Sequence, residues 1–336
     1  MIILMKKATS LVATTVALIL LIGTLAGCSA AETVDILYPE DLASPVDEAD
    51  IIDLAAEMVP LTQAPAKFAL SMPSASGTSV KKNAKAEIDY SNITDGYVMV
   101  RFLQKTTKQL RVLVTGPSGE RYTYTLKQNG DWEVFPLSDG NGSYTIGVFE
   151  QIDGSKYAMA NSVTFTVTLK DEFAPFLRPN QYVNFAADSD TVKKAAELVK
   201  DATGMYAQVT AIYNFVVSNF SYDRQKAQTV QSGYLPDVDA ILASKKGICF
   251  DYAAVMAAML RSQGTPTKLV VGYAGTAYHA WINVYSPETG WVNSAIFFDG
   301  KKWNLMDPTF ASSANESDEV MKFIGDGNNY TAKFLY

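Results

Sequence analysis

Three side chains of this sequence have the types needed for a nucleophilic site: Cys249, His279 and Asp307. Cys249 lies in Gly247-Ile248-Cys249-Phe250-Asp251-Tyr252-Ala253, where an amphipathic helix is expected to begin. A helix N-terminus offers unpaired N–H groups and positive dipole character, and both favour thiolate over thiol. Lys245 and Lys246 add positive charge just upstream. The same N–H groups could hold a developing oxyanion. His279, in Tyr278-His279-Ala280-Trp281, is the single histidine of the chain, so any Cys–His pair must use it. Asp307, in Trp303-Asn304-Leu305-Met306-Asp307-Pro308-Thr309, ends an expected strand, and its carboxylate could orient an imidazole. Each residue alone also suits a plainer role: a buried cysteine, a core or surface histidine, an Asp-Pro turn. Their occurrence together, in that order and each at the end of an expected element, favours an assembled site.

The elements that must position them follow from apolar spacing. From about Asp190 the period is helical, with Val192, Ala195, Ala196 and Val199 on one face after Ser189-Asp190 as a cap. A second helix is expected near Tyr206–Asn219. A shorter one starts near Pro236, with Asp237 and Asp239 in its first turn, Lys245 and Lys246 in its last, and Gly247 ending it. The helix that opens at Cys249 carries Tyr252, Val255, Met256, Met259 and Leu260 on one face and stops near Gly264. Strands follow at Leu269–Tyr273, Ala280–Tyr285, near Val292–Phe298 and at Lys302–Met306, with turns at Pro287–Gly290 and Asp299-Gly300. Helices followed by an antiparallel sheet read as α+β, here over 173–336.

Upstream the period is two. Val98, Val100 and Phe102 alternate, as do Leu110, Val112 and Val114, Tyr122 and Tyr124, and Val163, Phe165 and Val167. Turn signals such as Gly116–Gly119 and Asn129–Asp131 separate them. Six or seven short strands at this spacing predict an all-β, immunoglobulin-like sandwich over 83–172. No catalytic cluster falls there. Residues 28–82 are rich in Ala, Ser, Pro and acids and read as a tether, with a short helical patch at Ile51–Met58.

Residues 1–27 read as a targeting segment. Lys6 and Lys7 precede an apolar run from Leu11 to Leu25, the length of a signal h-region. Leu25-Ala26-Gly27-Cys28 resembles the bacterial lipoprotein signal, in which the cysteine carries lipid and becomes the first residue. Lipid at Cys28 would hold the protein on the membrane outside the cytoplasm. Cys249 would then have no disulfide partner.

Composition narrows the classes. The net charge of −7 argues against a nucleic-acid partner. One histidine and two cysteines exclude multi-histidine sites and four-cysteine zinc sites. A single metal bound by Cys249, His279 and Asp307 lacks local ligand pairs, so no metal and no cofactor is expected.

Beyond the three residues, Ala211-Ile212-Tyr213-Asn214-Phe215-Val216, Ser221-Tyr222-Asp223 and Val271-Gly272-Tyr273 complete a pattern. From about Tyr206 to Phe310 the chain resembles the transglutaminase-like superfamily, which has a papain-like cysteine-enzyme core. The resemblance implies that Cys249 attacks an amide or ester carbonyl and forms a thioester. It implies that His279 moves the proton and that Asp307 holds His279. It also implies an oxyanion site made by the Cys249 N–H and one side chain, for which Tyr213, Asn219 and Tyr222 are candidates. Asp251 and Tyr252 are expected to support the helix start, and Trp281 and Trp303 to be core or cleft wall. Family members transfer the acyl group to water or to an amine, and some are silent. Bacterial relatives are often hydrolases, which favours a peptidase or amidase over a cross-linker or a binding module. No acidic run resembles a calcium loop. The expected partners are protein or peptide substrates of the cell envelope, cell-wall peptides among them, and the oligomeric state is left open.

Overall fold

The structure is a computed structural model that describes residues 68–292, 297–298, 303–304 and 329–336. The signal segment, Cys28, most of the tether and Asp307 lie outside the described residues.

Among the described residues, eight strands come first: β1 (Val80–Lys82), β2 (Ala86–Asp89), β3 (Tyr97–Phe102), β4 (Leu110–Thr115), β5 (Arg121–Leu126), β6 (Glu133–Pro136), β7 (Gly142–Asp153) and β8 (Lys156–Val167). They form two antiparallel sheets, ordered β1-β2-β3-β6 and β5-β4-β7-β8. Alternation sets the buried face. Leu110, Val112 and Val114 of β4 and Tyr122, Tyr124 and Leu126 of β5 turn inward, while Arg121 and Thr123 stay exposed or half-exposed. Ile88, Val100 and Phe135 of the first sheet share the same buried cluster. The β region begins at Val80, three residues inside the stretch read as tether. This edge strand carries Lys81 and Lys82, which hid it from an apolar reading. Leu70 and Met72, also in that stretch, pack against the core.

Five helices follow among the described residues: α1 (Asp190–Leu198), α2 (Met205–Asn219), α3 (Arg224–Thr229), α4 (Val238–Ser244) and α5 (Cys249–Ser262). Ser189 precedes α1 but does not cap it; its hydroxyl accepts from the Ala186 amide at 3.0 Å. Asp239, in the first turn of α4, takes the Thr191 amide and hydroxyl instead, at 2.8 and 2.7 Å. One carboxylate thus ties two helices. Helix α4 ends at Ser244, earlier than its charge pattern predicts, because Lys245 adopts a left-handed conformation (φ 52°). Lys246-Gly247 then forms a two-residue strand, β10, parallel to β9 (Ser221–Tyr222). The two lysines therefore follow the helix and do not lie in its last turn.

Helix α5 is buried all round from Asp251 to Ser262, beyond the single face its sequence predicts. It packs against α1, α2 and α4 and against the sheet formed by β11 (Thr267–Ala274) and β12 (Ala277–Ser286). A helix enclosed in this way needs apolar residues on every side. The sheet is antiparallel, in the order β13-β12-β11-β16, with β13 at Gly290–Val292 and β16 at Tyr330–Leu335. The strand expected near Val292–Phe298 is divided. Gly290–Val292 joins this sheet, and β14 (Phe297–Phe298) pairs with β15 (Trp303–Asn304).

Aromatic rings join the β region to the end of the chain. Phe334 and Tyr336 meet Tyr122 edge-on at 5.5 and 5.6 Å, and Tyr336 lies 5.8 Å from Tyr124. The Ser138 hydroxyl donates to the Leu335 carbonyl at 2.7 Å.

Candidate active site

Cys249 is the first residue of α5 and is half-buried. The local backbone explains why the helix begins there. The Ile248 amide donates to Asp251 Oδ2 at 2.9 Å, and the Asp251 and Tyr252 amides both donate to the Ile248 carbonyl, at 2.9 and 3.1 Å. Asp251 therefore closes the first turn from within. Among the described residues no acceptor meets the amides of Cys249 and Phe250, which stay at the helix mouth. Gly247 belongs to the same turn. A Cβ there would lie 2.5 Å from the Asp251 Cβ, so only glycine lets the chain pass the buried carboxylate.

Asp251 is fully buried and has strong partners. Lys226 Nζ lies 2.6 Å from Oδ2, and the Tyr234 hydroxyl donates to Oδ1 at 2.7 Å. Lys226 also donates to the Tyr234 oxygen at 2.7 Å and lies over its ring at 4.3 Å. Burial, and then the Asp251 carboxylate beside it, push the Tyr234 hydroxyl above the usual tyrosine range. Nearby, Asp223 accepts from the Lys226 amide at 3.0 Å and pairs with Lys246 at 3.4 Å, while its own amide donates to the Gly247 carbonyl at 2.8 Å. The segment before Cys249 is thus clamped to α3 at several points. Asp251 supports the helix start, and Lys226 and Tyr234 are the partners that sequence reasoning missed. They lie 25 and 17 residues away, with no local signal of the pairing.

His279 lies inside β12, opposite Gly272 of β11, and is almost fully buried. The Trp281 ring is 6.2 Å away and the Tyr330 ring 6.4 Å. Gly272 has a steric reason: a side chain there would run into the Thr331 carbonyl and come within 2.9 Å of the Trp281 ring. Trp281 is buried, and its Nε1 donates to Asn283 at 3.2 Å. Ala280, Ile282 and Val284 belong to the same buried cluster as the residues of α5, and His279 and Trp281 alternate with them along β12. Cys249 and His279 stand on two elements that pack together, α5 and β12.

The three expected oxyanion donors separate. Tyr213 is buried within α2, and Asn219 donates to the Phe215 carbonyl at 2.8 Å. Tyr222 is held in register with Gly247, two positions before Cys249. Of Trp303 only the backbone is described, in β15. Among the described residues no group of three His, Cys, Asp or Glu side chains is arranged to hold a metal.

With this geometry in place, comparison with known proteins identifies the class. Residues 192–308 match the model of the transglutaminase-like superfamily, so this chain carries a transglutaminase-like domain over that span. The match covers Cys249, His279 and Asp307. The chain is 30% identical over 118 residues to the uncharacterized protein YebA of Bacillus subtilis, a stretch covering 29% of this chain and 16% of that one. It is 32% identical over 69 residues to a protein-glutamine gamma-glutamyltransferase of Pseudomonas aeruginosa, covering 16% and 10%. The chain therefore spans less than a fifth of the length of either relative. Among solved structures it resembles a candidate cysteine protease of Cytophaga hutchinsonii, with 17% identity and a TM-score of 0.33 over 63% of this chain and 71% of that one.

Proposed function

We propose that this protein is a thiol-dependent peptidase or amidase working through a thioester on Cys249. The observation that carries this reading is the position of Cys249: first residue of a buried helix, half-exposed, with its own amide and that of Phe250 meeting no acceptor among the described residues. Cys249 attacks the acyl carbon, His279 takes the thiol proton and returns it to the leaving amine, and Asp307 orients His279. The amides of Cys249 and Phe250 are placed to receive negative charge on the acyl oxygen. Water then releases the acid and frees the thiol. We further propose that lipid on Cys28 holds the protein at the envelope and that the two β sheets form an immunoglobulin-like sandwich that brings envelope peptides to the site. Loss of acyl-chain labelling in Cys28→Ala is the expected result for the anchor, and retained labelling would overturn it.

The catalytic reading is tested with an activated peptide ester. The wild type should gain the acyl mass on Cys249, seen in the intact protein, and Cys249→Ala should gain none. Decay of the adduct in water alone supports hydrolysis. Decay only with an added primary amine gives the acyltransferase reading, for which the likeness to the glutamyltransferase is the supporting observation. Peptide binding that survives in Cys249→Ala, with no adduct in the wild type, leaves a binding module.

A further inference from the structure

A buried carboxylate two residues from a nucleophilic thiol is an electrostatic liability. Asp251 is fully buried, and a carboxylate in that position must be neutralised or it opposes every nearby negative charge. A thiolate at Cys249 would be such a charge. The only cation bonded to Asp251 among the described residues is Lys226, at 2.6 Å. Its side chain is 27% exposed while the carboxylate is closed off, so the ammonium plugs the site from the solvent side. The Tyr234 hydroxyl fills the other carboxylate oxygen at 2.7 Å, and the Ile248 amide completes the set.

We propose that Lys226, with Tyr234, is a positioning residue that acts on Cys249 through Asp251: it cancels the charge of the carboxylate that builds the nucleophile's helix turn. This rests on the reading of Cys249 as a nucleophile. The device lets one side chain do two incompatible jobs. Asp251 organises the backbone by accepting the Ile248 amide, and it does so without raising the cost of a thiolate beside it. A purely mechanical brace needs the contacts; this role needs the charge balance.

The test separates the two. Cys249 alkylation by iodoacetamide is followed at pH 7 in the full chain. Lys226→Met leaves Asp251 unbalanced and should slow labelling about tenfold, because an uncompensated carboxylate then opposes the negative charge of the reacting sulfur. Lys226→Arg keeps the charge and should hold the rate. In the double variant Lys226→Met with Asp251→Asn the balance is restored, and labelling should return to within about threefold of wild type. Circular dichroism and the thermal midpoint report folding separately. If Lys226→Met does not fold, Lys226→Gln replaces it in the same comparison. An unchanged rate in the single variant, or a double variant as slow as the single, overturns the proposal. A wild type that labels no faster than a free thiol and ignores His279→Ala removes the nucleophile reading itself. A fast wild type with an equally fast Lys226→Met removes only the role of Lys226.

Discussion

His279→Ala should slow alkylation of Cys249 at pH 7 on the order of thirtyfold, and should remove turnover by a factor of about a thousand. The first figure is set below the roughly 100-fold that a positioned general base supplies, since alkylation needs the imidazole only to take the thiol proton. The second figure is the ordinary contribution of a general base that also serves as the acid. His279 is the single histidine, so no neighbour of the same kind can substitute. The residue is buried beside Trp281, and truncation also leaves a small void. A fall in thermal midpoint without a change in the labelling profile would assign His279 to packing, and the catalytic reading would fail.

Arg261→Ala should cost about 3–5 kcal/mol of folding stability, measured by urea unfolding. Arg261 is fully buried in α5, and its donors go to three main-chain oxygens: Thr267 at 2.8 Å, Arg178 at 2.7 Å and Tyr336 at 2.6 Å. Burial lowers its pKa to about 9, which still leaves it charged at neutral pH. The planar fork serves three segments at once, and no other side chain has that shape. Alanine strips the carbonyls of their partner in a place water does not reach. Arg261→Lys should recover little, since one ammonium cannot span the three positions. A loss under 1 kcal/mol in the alanine variant would mean that water or a shifted side chain satisfies these oxygens.

What the sequence makes legible is local. Cys249 and His279 stand out by residue type, and the helix that begins at Cys249 is announced by its apolar spacing. Strands β4 and β5 alternate strictly and were readable in full. Strand β8 was readable only over its last residues, because its first half pairs with β7 through two register shifts that break the burial alternation. Features made by distant segments left no trace. Asp239 looks like a first-turn acid of its own helix, yet it caps α1, 48 residues away. Asp251 is recognisable as a support for its helix, while its pairing with Lys226 depends on how α3 folds back. Strand β16 carries Lys333 between apolar residues, and only its pairing with β11 defines it.

That last pairing has a consequence for the order of events during synthesis. Val271 meets Phe334 across the sheet, and Arg261 waits for the Tyr336 oxygen. A chain leaving the ribosome presents α5, β11 and β12 well before residues 330–336 emerge. Until then one edge of β11 is open and one guanidinium donor is unmet. Closure over so long a stretch of chain is a slow contact to form. The surroundings of Cys249 should therefore be completed late and all at once, when residues 330–336 close the sheet.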